Sequence, residues 1–146
     1  MSFFGALAAG KAAQNAANYN AALMRRDAEI KEQEAKQSYA VYTNYDLPSF
    51  NASADKLRGQ IVTSYATSGV TYSGSVLENL MENELNLERD RDMLKYNAEV
   101  ARDQKYNEAI NQRAEARMEQ YRGRVAKQAS YYSAGQSLLN LGTRFI

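Results

Sequence analysis

The chain has 146 residues, length enough for one domain, and its 18 Lys and Arg against 17 Asp and Glu leave a formal charge of +1. Leu, Ile, Val and Phe together supply only 26 residues, under the roughly 20% share below which an ordinary core becomes doubtful, so a compact monomeric globule is not expected, while the near-zero charge argues against simple disorder. His, Cys and Trp are absent, which excludes disulfides, zinc and His-based metal sites, and Cys-His or Ser-His-Asp catalysis, so neither enzyme activity nor a cofactor is expected.

From Ser2 to Tyr45 the chain is rich in Ala, Gln, Glu, Lys and Arg with no breaker after Gly10, which predicts an N-terminal helix over 1–45. Pro48, the one proline, sits in Tyr45-Asp-Leu-Pro-Ser-Phe50 between two helix-favouring stretches and predicts a break there. Leu57, Ile61, Val62 and Tyr65 recur at helical spacing and predict a short helix over 51–67. Ser68-Gly-Val-Thr-Tyr-Ser-Gly-Ser75 is a run of turn formers and β-branched residues, read as an extended loop over 68–75. Ser75-Val-Leu-Glu78 then has the form of a capping box, in which hydroxyl and carboxylate each accept a free backbone N–H. Beyond it only Gly123 and Gly135 interrupt a helix-favouring composition, predicting a helix over 76–141 that extends roughly 99 Å at about 1.5 Å per residue. A helix of that length folds against another helix or a neighbouring subunit. The expected fold is therefore all-α, a single elongated helical hairpin that completes its core by assembling into a ring or tube.

The long helix is sorted in two ways. Between Val76 and Glu115 stand 10 acidic and 6 basic residues, and between Ala116 and Ile146 stand 1 acidic and 5 basic. This order suits the helix dipole, and it also offers Arg117, Arg122, Arg124, Lys127 and Arg144 to phosphates of DNA or lipid headgroups. Leu77, Leu80, Leu87, Leu94, Ala98 and Ala101 form an imperfect heptad stripe with Glu84 and Arg91 in its seam, assigned to helix packing. Tyr106, Ile110, Ala114, Met118, Tyr121, Val125, Ala129 and Tyr132 follow at a mean step of about 3.7 residues, a drift that suits a ring of packed helices and assigns this stripe to subunit packing.

Other motifs are bland. The carboxylates from Glu78 to Asp92 lack a His or an apolar pocket and read as a solvated face, and Gly69 and Gly74 lack the spacing of a phosphate-binding loop. No run of about 18 apolar residues occurs and Met1–Ala9 lacks a basic leader, so a soluble product that stays where it is made is expected. Small residues at Gly5, Ala9, Ala12 or Ala13 and Ala16, and the small, Tyr- and Leu-bearing segment from Ala129 to Gly142, suit close helix packing in water or, within an oligomer, in a bilayer. Phe3, Phe4, Leu138 and Leu139 are then the membrane-proximal residues.

Gly69-Val-Thr-Tyr-Ser-Gly74-Ser75 with Leu77 and Leu80, the acidic stretch, Tyr96-Asn-Ala-Glu99 and Ser133-Ala-Gly-Gln-Ser-Leu-Leu139 together resemble the smaller internal virion, or ejection, proteins of short-tailed phages. The resemblance covers roughly residues 61–142. It implies a protein packed inside the capsid near the portal, as a homo-oligomer stacked with larger internal virion proteins. On infection it would leave ahead of the genome and form the outer-membrane part of a conduit in the host envelope; the basic residues named above, rather than the resemblance, offer the non-specific contact with DNA. The resemblance implies no catalytic residue. Two other readings share the helical, enzyme-free character: a structural head–tail adaptor or portal-associated ring protein, and a cytoplasmic coiled-coil scaffold.

Overall fold

The structure, a computed structural model, describes residues 3–69 and 74–142. Among the described residues every element is helical: α1 (Phe3–Val41), a π-helical turn (Tyr42–Asp46), α2 (Leu47–Ser68) and a long C-terminal helix α3 (Ser75–Gly142). Ala, Glu, Gln, Lys and Arg lose little rotamer freedom in a helix, and no proline interrupts α1 or α3.

Pro48 does not break the chain. It sits in the first turn of α2, where a missing N–H costs least. In the interior of an α-helix its ring would clash with the carbonyl four residues back. Immediately before it the ladder widens, and the Leu47 N–H donates to the Tyr42 carbonyl, five residues back. Asp46 and Leu47 keep right-handed helical dihedrals, so the π turn lets helix pass into helix without an intervening coil. The expected end of the first helix at residue 45 and start of the second at 51 are corrected accordingly.

α2 ends at Gly69, whose φ of 67° places it in the left-handed region that only glycine enters at no steric cost. Gly74 has φ 62°. The expected loop over 68–75 is thus shortened from both sides, since Ser68 closes α2 and Ser75 opens α3, and the extended conformation expected for 70–73 lies outside the described residues. Ser75 is already inside the helix rather than flanking it, and the Glu78 N–H donates to the Gly74 carbonyl at 3.3 Å. Glu78 still places its charge in the first turn, where the dipole favours it. α3 continues through both Gly123 and Gly135.

The chain divides into two compact units, Met1–Glu32 with Tyr106–Ile146, and Gln33–Lys105. The first unit packs α1 antiparallel to α3 on very small residues. Ala6, Gly10, Ala17, Ala21 and Ala28 are buried on α1, and Ala109, Ala116, Gly123 and Ala134 on α3. Each buried methyl contributes at most about 1 kcal/mol, so the seam is thin and depends on close approach. A Cβ added at Gly10 would collide with the Ser130 side chain and stand 3.3 Å from the Lys127 Cα. Across the edges of this seam Arg25 donates to Gln120 Oε1 at 2.8 Å, Lys31 meets Glu108 at 3.7 Å, and Arg113 pairs with Glu32.

The second unit packs on larger side chains. Phe50 and Ala54 of α2 line an open cleft of about 610 Å³ with Leu80, Leu87 and Arg91 of α3. Tyr42 is buried beside Tyr39, the ring centroids 5.6 Å apart, and the Arg102 guanidinium lies 4.8 Å over the Tyr39 ring. Lys105 donates to Glu34 at 2.8 Å.

Candidate assembly surface

The stripe from Tyr106 to Tyr132 lies away from the seam of the first unit. Ala116 and Gly123 face α1, and Met118 and Val125 each follow them by two residues, or about 200° around the helix. Tyr132 stands in the same relation to Ser130, whose side chain lies against Gly10. Ile110, Met118, Tyr121, Val125 and Tyr132 are accordingly exposed, Met118 by 54% and Tyr132 by 71%, while Tyr106 is partly covered. The helix therefore carries two apolar faces, one of Ala and Gly that is filled within the chain and one of large residues that is not.

α1 repeats the arrangement, which the sequence reading missed. Tyr19, Leu23 and Ile30 follow the buried Ala17, Ala21 and Ala28 by the same two residues and are exposed. The signal that would have found them is the seven-residue step from Ala21 to Ala28 and from Ala109 through Ala116 to Gly123. Gly5, Ala9, Ala12, Ala13 and Ala16 are exposed, although Ala9 and Ala13 border α3 across an open groove with Ala126, Ala129 and Ser133, and the small residues buried against α3 are Ala6, Gly10 and Ala17.

The stripe assigned to helix packing falls in the second unit. Leu80, Leu87, Leu94 and Ala98 are partly covered, whereas Leu77 and Ala101 are exposed and Val76 is the buried residue at the start of α3. For Leu77 and Ala101 the helix-packing assignment is corrected, because the inward face passes through Val76 and Arg102 instead, one residue to either side. Glu84 and Arg91 both line the cleft. Glu84 accepts a two-pronged hydrogen bond from Arg58 of α2, at 2.6 and 2.7 Å, and Arg58 also donates to Asp55 at 2.9 Å. The hydrogen bonds from Arg58 hold the Glu84 carboxyl below its ordinary range, and those accepted by Glu84 and Asp55 raise Arg58 further above its already high value.

Of the five arginine and lysine residues expected at phosphate, Arg117, Arg124 and Lys127 fall on one side of α3 and Arg122 on another. Arg117 and Arg124 are exposed and seven residues apart, Lys127 is partly covered against Gly10, and Arg122 lies 3.7 Å from Glu119. Arg144 lies outside the described residues. Phe3 and Phe4 stack edge to face, centroids 5.3 Å apart, and antiparallel packing brings them to the same end of the first unit as Leu138 and Leu139. Phe4 and Leu139 are the most exposed of the four. Among the described residues no helix is long and apolar enough to cross a membrane, and no group of carboxylates is placed to hold a metal ion.

No protein-family model matches the chain, and no curated protein or solved structure matches it either. The resemblance to ejection proteins therefore stands on the residues that carry it.

Proposed function

We propose that the protein is a structural, non-catalytic subunit of a helical assembly, of the kind to which the smaller ejection proteins of short-tailed phages belong. In this reading it is stored in the virion near the portal with larger internal virion proteins and released into the host envelope as part of the conduit for the genome. The observation that supports it is the outward face of Ile110, Met118, Tyr121, Val125 and Tyr132, standing opposite an Ala and Gly seam already filled within the chain. A helix with one satisfied and one unsatisfied apolar face gains by meeting a neighbour, and exposed apolar stripes of this kind mark association surfaces. Subunits that join through unlike surfaces close into rings or extend as tubes.

The test is protein mass spectrometry of intact virions against particles triggered to release their genomes. Depletion of this chain with the genome is the expected result. Retention in the emptied particle would replace the proposal with the head–tail adaptor reading, and absence from both particles would replace it with a cytoplasmic scaffold.

A further inference from the structure

The first unit carries its positive charge on one side. Residues 3–25 and 116–142, which pack together there, contain six basic side chains and one acidic, Glu119. Glu119 is engaged by Arg122. The other five, Lys11, Arg25, Arg117, Arg124 and Lys127, have no acidic partner among the described residues.

Two cross-helix contacts show that these five share a side. Arg25 donates to Gln120, and Glu32, seven residues after Arg25, pairs with Arg113, seven before Gln120. The row Lys11, Asn18, Arg25, Glu32 on α1 therefore runs beside the row Arg113, Gln120, Lys127 on α3, at a step of about 10 Å per seven residues. Arg117 and Arg124 precede Gln120 and Lys127 by three residues and so lie next to that row. Two acids fall on this side, both beyond Arg25 at its end: Glu32 is matched by Arg113, and Glu29 stands three residues before it. Glu108, Glu115 and Arg122 form a separate seven-residue row on α3, with Glu119 beside it, and take the acids away from the cationic side.

We propose that this side of the first unit, formed by Lys11 and Arg25 of α1 with Arg117, Arg124 and Lys127 of α3, binds the phosphate backbone of a nucleic acid without regard to sequence. The chemistry favours a polyphosphate strand over a bilayer. Along α3 the side reads Arg113, Arg117, Gln120, Arg124, Lys127 and Tyr131, with no aliphatic side chain to enter acyl chains, and on α1 the exposed apolar residue of the row is Phe4 at its end, whereas Met118 and Val125 stand opposite the seam. Arginine presents paired donors that match phosphate oxygens, amides add neutral donors, and duplex DNA offers a charge about every 1.7 Å of its axis to a row of cations this long. The site is a property of a single hairpin and does not rest on the ejection reading.

The experiment is fluorescence anisotropy of the full chain with a labelled random-sequence duplex of roughly 30 base pairs, across salt from about 50 to about 200 mM. Binding is expected to be sequence-independent, with log K falling linearly in log salt. Arg117→Gln with Arg124→Gln should lower that slope by about 1.8, and Lys11→Gln, on the other helix, by about 0.9. Arg122→Gln should leave the slope unchanged, since Glu119 already occupies that charge. Circular dichroism of each variant confirms that the helices are intact. No binding at the lowest salt, an Arg122→Gln loss equal to that of Arg124→Gln, or binding to phosphatidylglycerol vesicles without binding to the duplex would each overturn the assignment.

Discussion

Gly123 of α3 lies so close to Ala17 of α1 that a Cβ added there would stand 2.5 Å from the Ala17 Cβ and 3.4 Å from the Gln14 Cα. Glycine in the middle of a helix ordinarily weakens it by about 1 kcal/mol relative to alanine, so its presence marks a place where the other helix needs the space. The comparison with Gly59 isolates that effect, because nothing lies within 4 Å of the Cβ position there. Gly59→Ala should therefore raise stability by up to about 1 kcal/mol. Gly10→Ala and Gly123→Ala should each lower it by about 1–3 kcal/mol, as overpacking does. Thermal and denaturant unfolding of the three variants decides the matter. Ser130→Gly should recover part of the Gly10→Ala loss, since the Ser130 side chain is what the new methyl meets.

The Arg58–Glu84 pair predicts a pH dependence whose sign can be worked out. Its hydrogen bonds hold the Glu84 carboxyl below the range it has in the unfolded chain, so the folded state binds this proton less readily. The pair's contribution is present above the ordinary carboxylate pKa and is lost as pH falls through the lowered folded value. Both side chains are about half exposed, so the effect is screened by solvent and small. Glu84→Gln should lower the thermal midpoint at neutral pH, and the gap from the parent chain should close as the pH is taken well into the acid range. A gap that stays constant with pH would assign the loss to packing in the cleft instead.

Among the described residues one buried side-chain polar atom lacks a partner. Gln112 Oε1 is buried without a hydrogen bond among the described residues, and a stranded acceptor of this kind costs about 1–3 kcal/mol. Gln112→Met keeps the length of the side chain and removes the acceptor, so it should stabilise the chain by about 1 kcal/mol. Chemical denaturation read by circular dichroism measures it, and an unchanged midpoint would mean that water reaches the amide oxygen.

Helicity and the long C-terminal element were legible in composition, because Ala, Glu, Gln, Lys and Arg dominate both and turn formers concentrate in one place, Ser68–Ser75. The presence of Glu84 and Arg91 in the inward stripe was legible as well, from charged residues occurring in phase with Leu80, Leu87 and Leu94. Pro48 misled because the rule against proline in helices assumes an unbroken i→i−4 ladder, and the π turn at Tyr42–Asp46 replaces it where the ring has to fit. The inward face of the first unit was hidden for a different reason. Burial is ordinarily read from large apolar residues, and there most of them stand outward, at Tyr19, Leu23, Ile30, Met118 and Val125, or are only partly covered, as Leu7, Met24 and Tyr106 are, while the fully buried seam is Ala and Gly. Alanine favours a helix at any position, so only its seven-residue period, not its abundance, tells which face is inside.

That division of faces separates stability from association. Met118 and Val125 touch solvent on the side away from α1, so replacing them with charge should leave the seam of the first unit intact. Met118→Glu with Val125→Glu is expected to reduce the assembly to the smallest species seen by size-exclusion chromatography with light scattering, with helical content unchanged. Ala116→Glu, by contrast, places an unpaired charge in the seam opposite α1 and should cost several kcal/mol and helical content together. Tyr19→Glu on α1 tests the second outward face in the same way. If the outer-face variants keep the parent's mass, the stripe is solvated surface and the subunit-packing role falls. If they unfold the chain, the outward face supports the packing of the first unit itself, and the two-faced description of α3 is wrong.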